Sequence, residues 1–125
     1  MTPARVMIVE DEAITAMATG AMLKRLGHQV AASVGSGAAA LEAFRRYNPD
    51  LVLMDIRLDG DMDGIETARA IRADSDVPVV FVSAYVDAQT RQRAAETSPF
   101  AFVPKPLDEY ELGALMCRLR KVLPS

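Results

Sequence analysis

Five short apolar runs alternate with five stretches of helical period, and this alternation restricts the fold more than any other property of the chain. The runs fall at residues 5–9, 30–34, 51–54, 78–82 and 100–103. Each has strand length and is bounded by turn residues. Leu51, Val52, Leu53 and Met54 are apolar at every position, which reads as a strand buried on both faces, central in a parallel sheet. Strand–helix alternation argues for such a sheet with helices on both sides.

Between the runs the period changes. Ile14, Met17, Ala18, Ala21, Met22 and Leu26 share one helical face, with Gly27 as the stop. Ser36-Gly37 opens a second helix with Ala40, Leu41 and Phe44 inward, closed by Asn48-Pro49. Ile65, Ala68 and Ile71 mark a third, ending near Ala73. Pro78 stands at the first position of the fourth strand, where its missing N–H is tolerated. Asp87 caps a poor fourth helix whose Ala88, Arg91, Ala94 and Ala95 bury little. Asp108 and Glu111 have capping-box spacing, and Leu112, Leu115, Met116, Leu119, Val122 and Leu123 form the longest apolar stripe. Opposite it, Tyr110, Ala114 and Cys117 make a small outward strip that suits a docking face. Met7, Met17, Met22 and Met116 fall on core-facing positions. His28, after Gly27, is expected at the surface.

The 125 residues suit one domain, and with no linker, repeat or low-complexity tract a single domain over 1–125 without an output domain is expected. A net charge of −3 offers no electrostatic footprint for nucleic acid. One cysteine, Cys117, excludes an internal disulfide or a cysteine metal cluster. No apolar run reaches membrane-spanning length, and the first residues lead straight into a strand rather than a signal peptide. A cytoplasmic protein without a membrane partner is the expectation.

The chemistry gathers at strand ends. The first strand delivers Glu10 and Asp11, the third Asp55, the fourth Ser83, and Lys105-Pro106 follows the fifth. In a parallel sheet these ends share one edge, where open α/β sheets bind ligands. Three clustered carboxylates repel one another, and a hard cation relieves them. Mg²⁺ takes one or two carboxylates and adds phosphate oxygens. A lysine and a hydroxyl nearby suit phosphoryl oxygens, and an aspartate can itself be the nucleophile.

Val9-Glu10-Asp11-Glu12, Leu53-Met54-Asp55, Val82-Ser83-Ala84 and Lys105-Pro106, in that order on successive strand ends, resemble the receiver domains of two-component response regulators. The resemblance covers essentially the whole chain. It implies a single flavodoxin-like, doubly wound (βα)5 domain with a parallel sheet of order 2-1-3-4-5. It further implies Asp55 as phosphoacceptor, and Mg²⁺ on Asp11 and Asp55 with Glu10 acting through water and the backbone carbonyl of Arg57 as another ligand. Lys105 would pair with the phosphoryl group across a cis bond to Pro106. Ser83 would swing in to the phosphoryl oxygen, and Phe102 matches the switch aromatic. Three departures stand out. The turn at residues 59–64 is one residue longer than usual and lacks proline, with Asp59 and Asp61 either adding negative potential or facing water. Pro104 precedes Lys105. Phe102 has no hydroxyl. Arg57 and Tyr85, where the family varies its hydrolysis rate, are large enough to shield the phosphoryl group.

The expected function is a phosphorylation-dependent switch in a two-component phosphorelay. A sensor histidine kinase or histidine phosphotransfer protein would donate the phosphoryl group. The fourth helix, fifth strand and fifth helix would face a downstream protein or a second copy in a homodimer. It is not a metabolic enzyme beyond its own phosphorylation and slow dephosphorylation. The alternative is a receiver-like interaction module that signals without phosphorylation. A haloacid-dehalogenase-type phosphatase fits less well, because that family carries Asp-x-Asp on its first strand. A flavin carrier lacks its phosphate loop here.

Overall fold

The computed structural model describes residues 3–84 and 86–123. β1 (Arg5–Val9), β2 (Gln29–Val34), β3 (Leu51–Met54), β4 (Val79–Ser83) and β5 (Ala101–Pro104) form one parallel sheet of order β2-β1-β3-β4-β5. α1 (Ala13–Arg25), α2 (Gly37–Tyr47), α3 (Gly64–Asp74), α4 (Ala88–Ala95) and α5 (Glu109–Arg120) alternate with the strands. This is the flavodoxin-like (βα)5 fold. From β1 the chain steps outward to β2, then returns past β1 to β3. The winding reverses between β1 and β3, which is where such sheets open a binding crevice at the strand C-termini.

The central strands are apolar along nearly their whole length because each feeds two cores. Val6, Ile8, Leu51, Leu53, Val80 and Val82 pack with Leu23, Leu112, Leu115, Met116 and Leu119 of α1 and α5. Met7, Val9, Val52, Met54, Val79 and Phe81 pack on the opposite side with Ala40, Ile65, Ala68 and Ile71 of α2 and α3. The period of two along each strand divides the residues this way. Each fully buried Leu or Ile contributes about 1.5–3 kcal/mol.

The face of α1 is the opposite of the expected one. Ala16, Thr19, Gly20 and Leu23 are buried, whereas Ile14 is 84% and Met17 74% exposed. Ala18 and Ala21 are exposed as well, and Met22 and Leu26 are half-buried. The helix is small or apolar nearly all round, so hydrophobic period cannot choose its face. Close approach does: a Cβ on Gly20 would already touch Val30 at 3.6 Å and Ile8 at 3.8 Å. Met17 is therefore not a core residue, while Met7 and Met116 are. Val122 also departs from its expected stripe, lying beyond α5 at 60% exposure.

His28 is buried rather than at the surface. The Ala4 N–H, at the start of β1, donates to His28 Nδ1 at 3.0 Å, and the Ala4 carbonyl accepts from Gln29 N–H at 3.0 Å. Burial, helped by the charge of Arg120, pushes the His28 imidazole below its ordinary pKa of 6.5. The folded state thus keeps His28 neutral while the unfolded chain takes up a proton. Stability is full above about pH 6.5 and falls as pH drops through that value toward the lowered one. Urea titrations between pH 7.5 and 5 are expected to show this decline, and His28→Gln, which keeps an acceptor without the proton site, to flatten it.

Candidate functional site

β1 and β3 run side by side in register, Val9 opposite Met54, so the residues that follow them meet at the sheet's C-terminal edge. The Asp55 N–H donates to the Val9 carbonyl at 2.9 Å, and the Glu10 N–H to the Val34 carbonyl at 2.9 Å. Both acids are thereby pinned by the ladder itself. Carboxylate oxygens of Glu10, Asp11 and Asp55 lie within 4.8 Å of one another. Glu10 and Asp55 are buried and Asp11 is exposed. On the other side of β3, the Lys105 N–H donates to the Ser83 carbonyl at 2.8 Å, fixing the segment after β5 against the end of β4. Lys105 Nζ donates to Glu10 Oε1 at 2.5 Å and to Asp55 Oδ2 at 3.0 Å. The Lys105–Pro106 bond is cis.

Burial pushes the Asp55 carboxyl up, and the neighbouring Glu10 charge adds to this against the pull of Lys105. Burial also opposes the charge of Glu10. Its bonds to Lys105 and to the Glu12 N–H, 3.0 Å from Oε2, outweigh that and hold it below the usual range. Asp11 is raised by burial, by its contact with Glu10 and by the charge of Asp59. Burial disfavours the Lys105 ammonium, but the bonds to Glu10 and Asp55 raise its pKa overall. Three carboxylates thus face one ammonium. This hard, oxygen-only and under-neutralised donor set fits Mg²⁺.

The longer turn after Asp55 runs outward rather than folding back on itself. Asp59 forms an isolated parallel bridge with Ser36, ahead of α2. Its neighbour Gly35 packs against Asp11, an added Cβ lying 3.5 Å from Asp11 Cα. Asp59 and Asp61 are both exposed, and the charge of Asp59 is felt at Asp11. Asp63 ends the turn as the cap of α3, accepting from Glu66 N–H at 2.8 Å while Glu66 Oε1 accepts from Asp63 N–H at 3.0 Å. The spacing Asp63-Gly64-Ile65-Glu66 carries that capping box in plain view. At α5 only the forward half of such a pair forms, Asp108 accepting from Glu111 N–H at 2.7 Å.

Ser83 is buried at the end of β4, and Phe102 is half-buried on β5. Arg57 is exposed in the turn. Tyr85 lies outside the described residues. Beside the acids, a cleft of about 540 Å³ is lined by Ile14, Ala18 and Met22 of α1, by Leu107, and at its floor by Glu10, Asp55 and Lys105. Sequence period hid this cleft, because it placed the same α1 residues in the core.

The profile of the response regulator receiver domain matches residues 6–116. The chain belongs to the response-regulator receiver family. The receiver is 37% identical over 118 residues to the DNA-binding response regulator MtrA of Mycolicibacterium paratuberculosis, covering 94% of this chain and 52% of that protein. It is 33% identical over 110 residues to the transcriptional regulatory protein PdtaR of Mycobacterium tuberculosis, covering 88% and 53% respectively. It thus spans about half the length of the curated relatives it matches. Among solved structures, the signal receiver domain of a modulated diguanylate cyclase from Desulfovibrio desulfuricans superposes with a TM-score of 0.90 at 31% identity, over 96% of each chain. The family is one of two-component signalling receivers. No helix among the described residues is long and apolar enough to cross a membrane.

Proposed function

We propose that this receiver, acting as one unit over residues 1–125, takes a phosphoryl group onto Asp55 from a phosphohistidine and changes its contacts in response. The observation that carries this reading is Lys105 Nζ spanning Glu10 and Asp55 beside Asp11 at the sheet's switch point. An Asp55 oxygen attacks phosphorus in line, the P–N bond breaks, and the imidazole leaves. Lys105 exchanges its bond to Asp55 for one to a phosphoryl oxygen, keeping its charge near the group that gains charge. Ser83 supplies a hydroxyl to another oxygen. Asp11, Asp55 and the Arg57 carbonyl would hold Mg²⁺, with Glu10 acting through water, and the ion would supply charge neutralisation for the transfer. The apolar cleft and the exposed Ile14 and Met17 of α1 suit a helical kinase or phosphotransfer partner whose histidine must reach Asp55. Output through α4, β5 and α5 goes to a downstream protein or a second copy.

The test is Mg²⁺-dependent labelling by acetyl phosphate, with the label mapped to Asp55 as an acid-stable, base-labile acyl phosphate. A chain that folds but takes no label belongs instead to the phosphorylation-independent interaction modules. Asp59 refines the metal site. Its carboxylate adds negative potential at Asp11 from an exposed position, so Asp59→Asn is expected to weaken Mg²⁺ binding by about two- to fivefold in calorimetric titration. Unchanged affinity would show that Asp59 faces water only.

A further inference from the structure

We propose that Arg91 is a positioning residue for the switch: stacked on Phe102, it holds that ring in its half-buried place and opposes occupation of the Asp55 site. This rests on the reading of Asp55 as phosphoacceptor.

The weak attachment of α4 makes its few tethers decisive. The helix spans eight residues and buries Ala94 alone. A helix that short has little stability of its own. Two of its tethers run to α3: Arg93 Nη2 to Asp63 Oδ2 at 3.4 Å, and Glu96 Oε1 to Arg69 Nη2 at 3.2 Å. The Arg69–Glu96 pair is exposed and the Arg93–Asp63 pair, at 3.4 Å, is long and only half-buried, so neither holds the helix firmly. Arg91 reaches the other way, toward β5. Its guanidinium carbon lies 4.7 Å from the centroid of the Phe102 ring, within cation–π range.

Phe102 also has a fixed neighbour. Phe81 lies opposite it in the β4–β5 register, is fully buried, and has its ring centroid 6.2 Å away at an interplanar angle of 46°. Phe81 is two residues before Ser83, so both project from the same face of β4. The Phe102 ring therefore contacts one buried ring that cannot move and one exposed cation that can. With no hydroxyl, it has no hydrogen bond to set its rotamer. Movement toward the space beside Ser83, opened when that hydroxyl turns to a phosphoryl oxygen, withdraws the ring from Arg91. The stack and the occupied site are thus coupled, and each weakens the other by the same factor.

Fluoroberyllate with Mg²⁺, titrated calorimetrically, reads this coupling. Arg91→Gln is expected to bind about two- to fivefold tighter than wild type, the factor that an exposed cation–π contact supplies. Arg91→Lys should fall between, since a compact ammonium stacks less well than a planar guanidinium. Arg118→Gln is the control. Arg118 lies 5.8 Å over Phe100, so its loss removes the same charge and a similar stack without touching Phe102. Its affinity should match wild type. In the free protein the Arg91 Nε–H resonance should be shifted upfield by the ring and should lose that shift when fluoroberyllate binds. Wild-type binding with no tightening in Arg91→Gln, or equal tightening in Arg118→Gln, overturns the clamp alone. Absence of wild-type binding overturns the phosphoacceptor reading and the clamp with it.

Discussion

Asp55→Asn is expected to abolish labelling by acetyl phosphate while leaving the fold intact. The carboxamide keeps the shape of the side chain but is no nucleophile towards phosphorus, so the loss should be complete rather than graded. Folding should not suffer. Burial raises the Asp55 carboxyl, which means that the folded state disfavours its charge and that stability from this group fades as pH rises through the raised value. A neutral amide at that position relieves the penalty, and Glu10 remains to pair with Lys105. Urea unfolding at pH 7 should therefore place the variant at or above wild type. Labelling that persists in Asp55→Asn would move the phosphoacceptor elsewhere. A variant that unfolds would leave the chemistry to be read from wild-type mapping of the acyl phosphate.

The largest stability effect is expected at Gly64, the first residue of α3. Its N–H donates to the Ile56 carbonyl at 2.7 Å, drawing the helix tightly against the end of β3. An added Cβ would overlap the Asp55 carbonyl oxygen, and would lie 2.8 Å from the Asp55 carbonyl carbon and 2.9 Å from Ile56 Cα. All three are backbone atoms, so no side chain can swing aside. Gly64→Ala should cost about 3 kcal/mol, the upper end for overpacking, and lower Tm by about 10 °C. Because relief requires moving the Asp55 backbone, labelling should fall as well. Gly60 offers the contrast. Its φ is +94°, but a Cβ there meets nothing within 4 Å. Gly60→Ala should cost about 1 kcal/mol through backbone conformation alone, with labelling little changed. Equal stability losses in the two variants would show that turn conformation, not the contact at Asp55, sets the requirement for glycine.

The clustered acids and Lys105 were legible because their signals are local. An apolar run that stops on a carboxylate reports a strand end, and parallel winding then brings all such ends to one edge. The same locality explains what could not be read. Residues 59–64 hold two glycines and three aspartates, and nothing in that string says the turn would run out to pair with Ser36. A single histidine after a glycine looks like surface. It turns inward because the Ala4 N–H, just ahead of β1, needs an acceptor at the bottom of the sheet.

The residues by themselves determined the strand and helix order, the central place of β3, and the identity of the groups at its end. Those depend on period and on side-chain chemistry within a few positions. Tertiary structure decided the face of α1, where two apolar sides competed and the small residues won by lying closest to the sheet. It also decided that Lys105 binds Glu10 and Asp55 together and that Arg91 lies over Phe102. Each of these contacts joins different elements of the fold, and no local pattern encodes the distance between them.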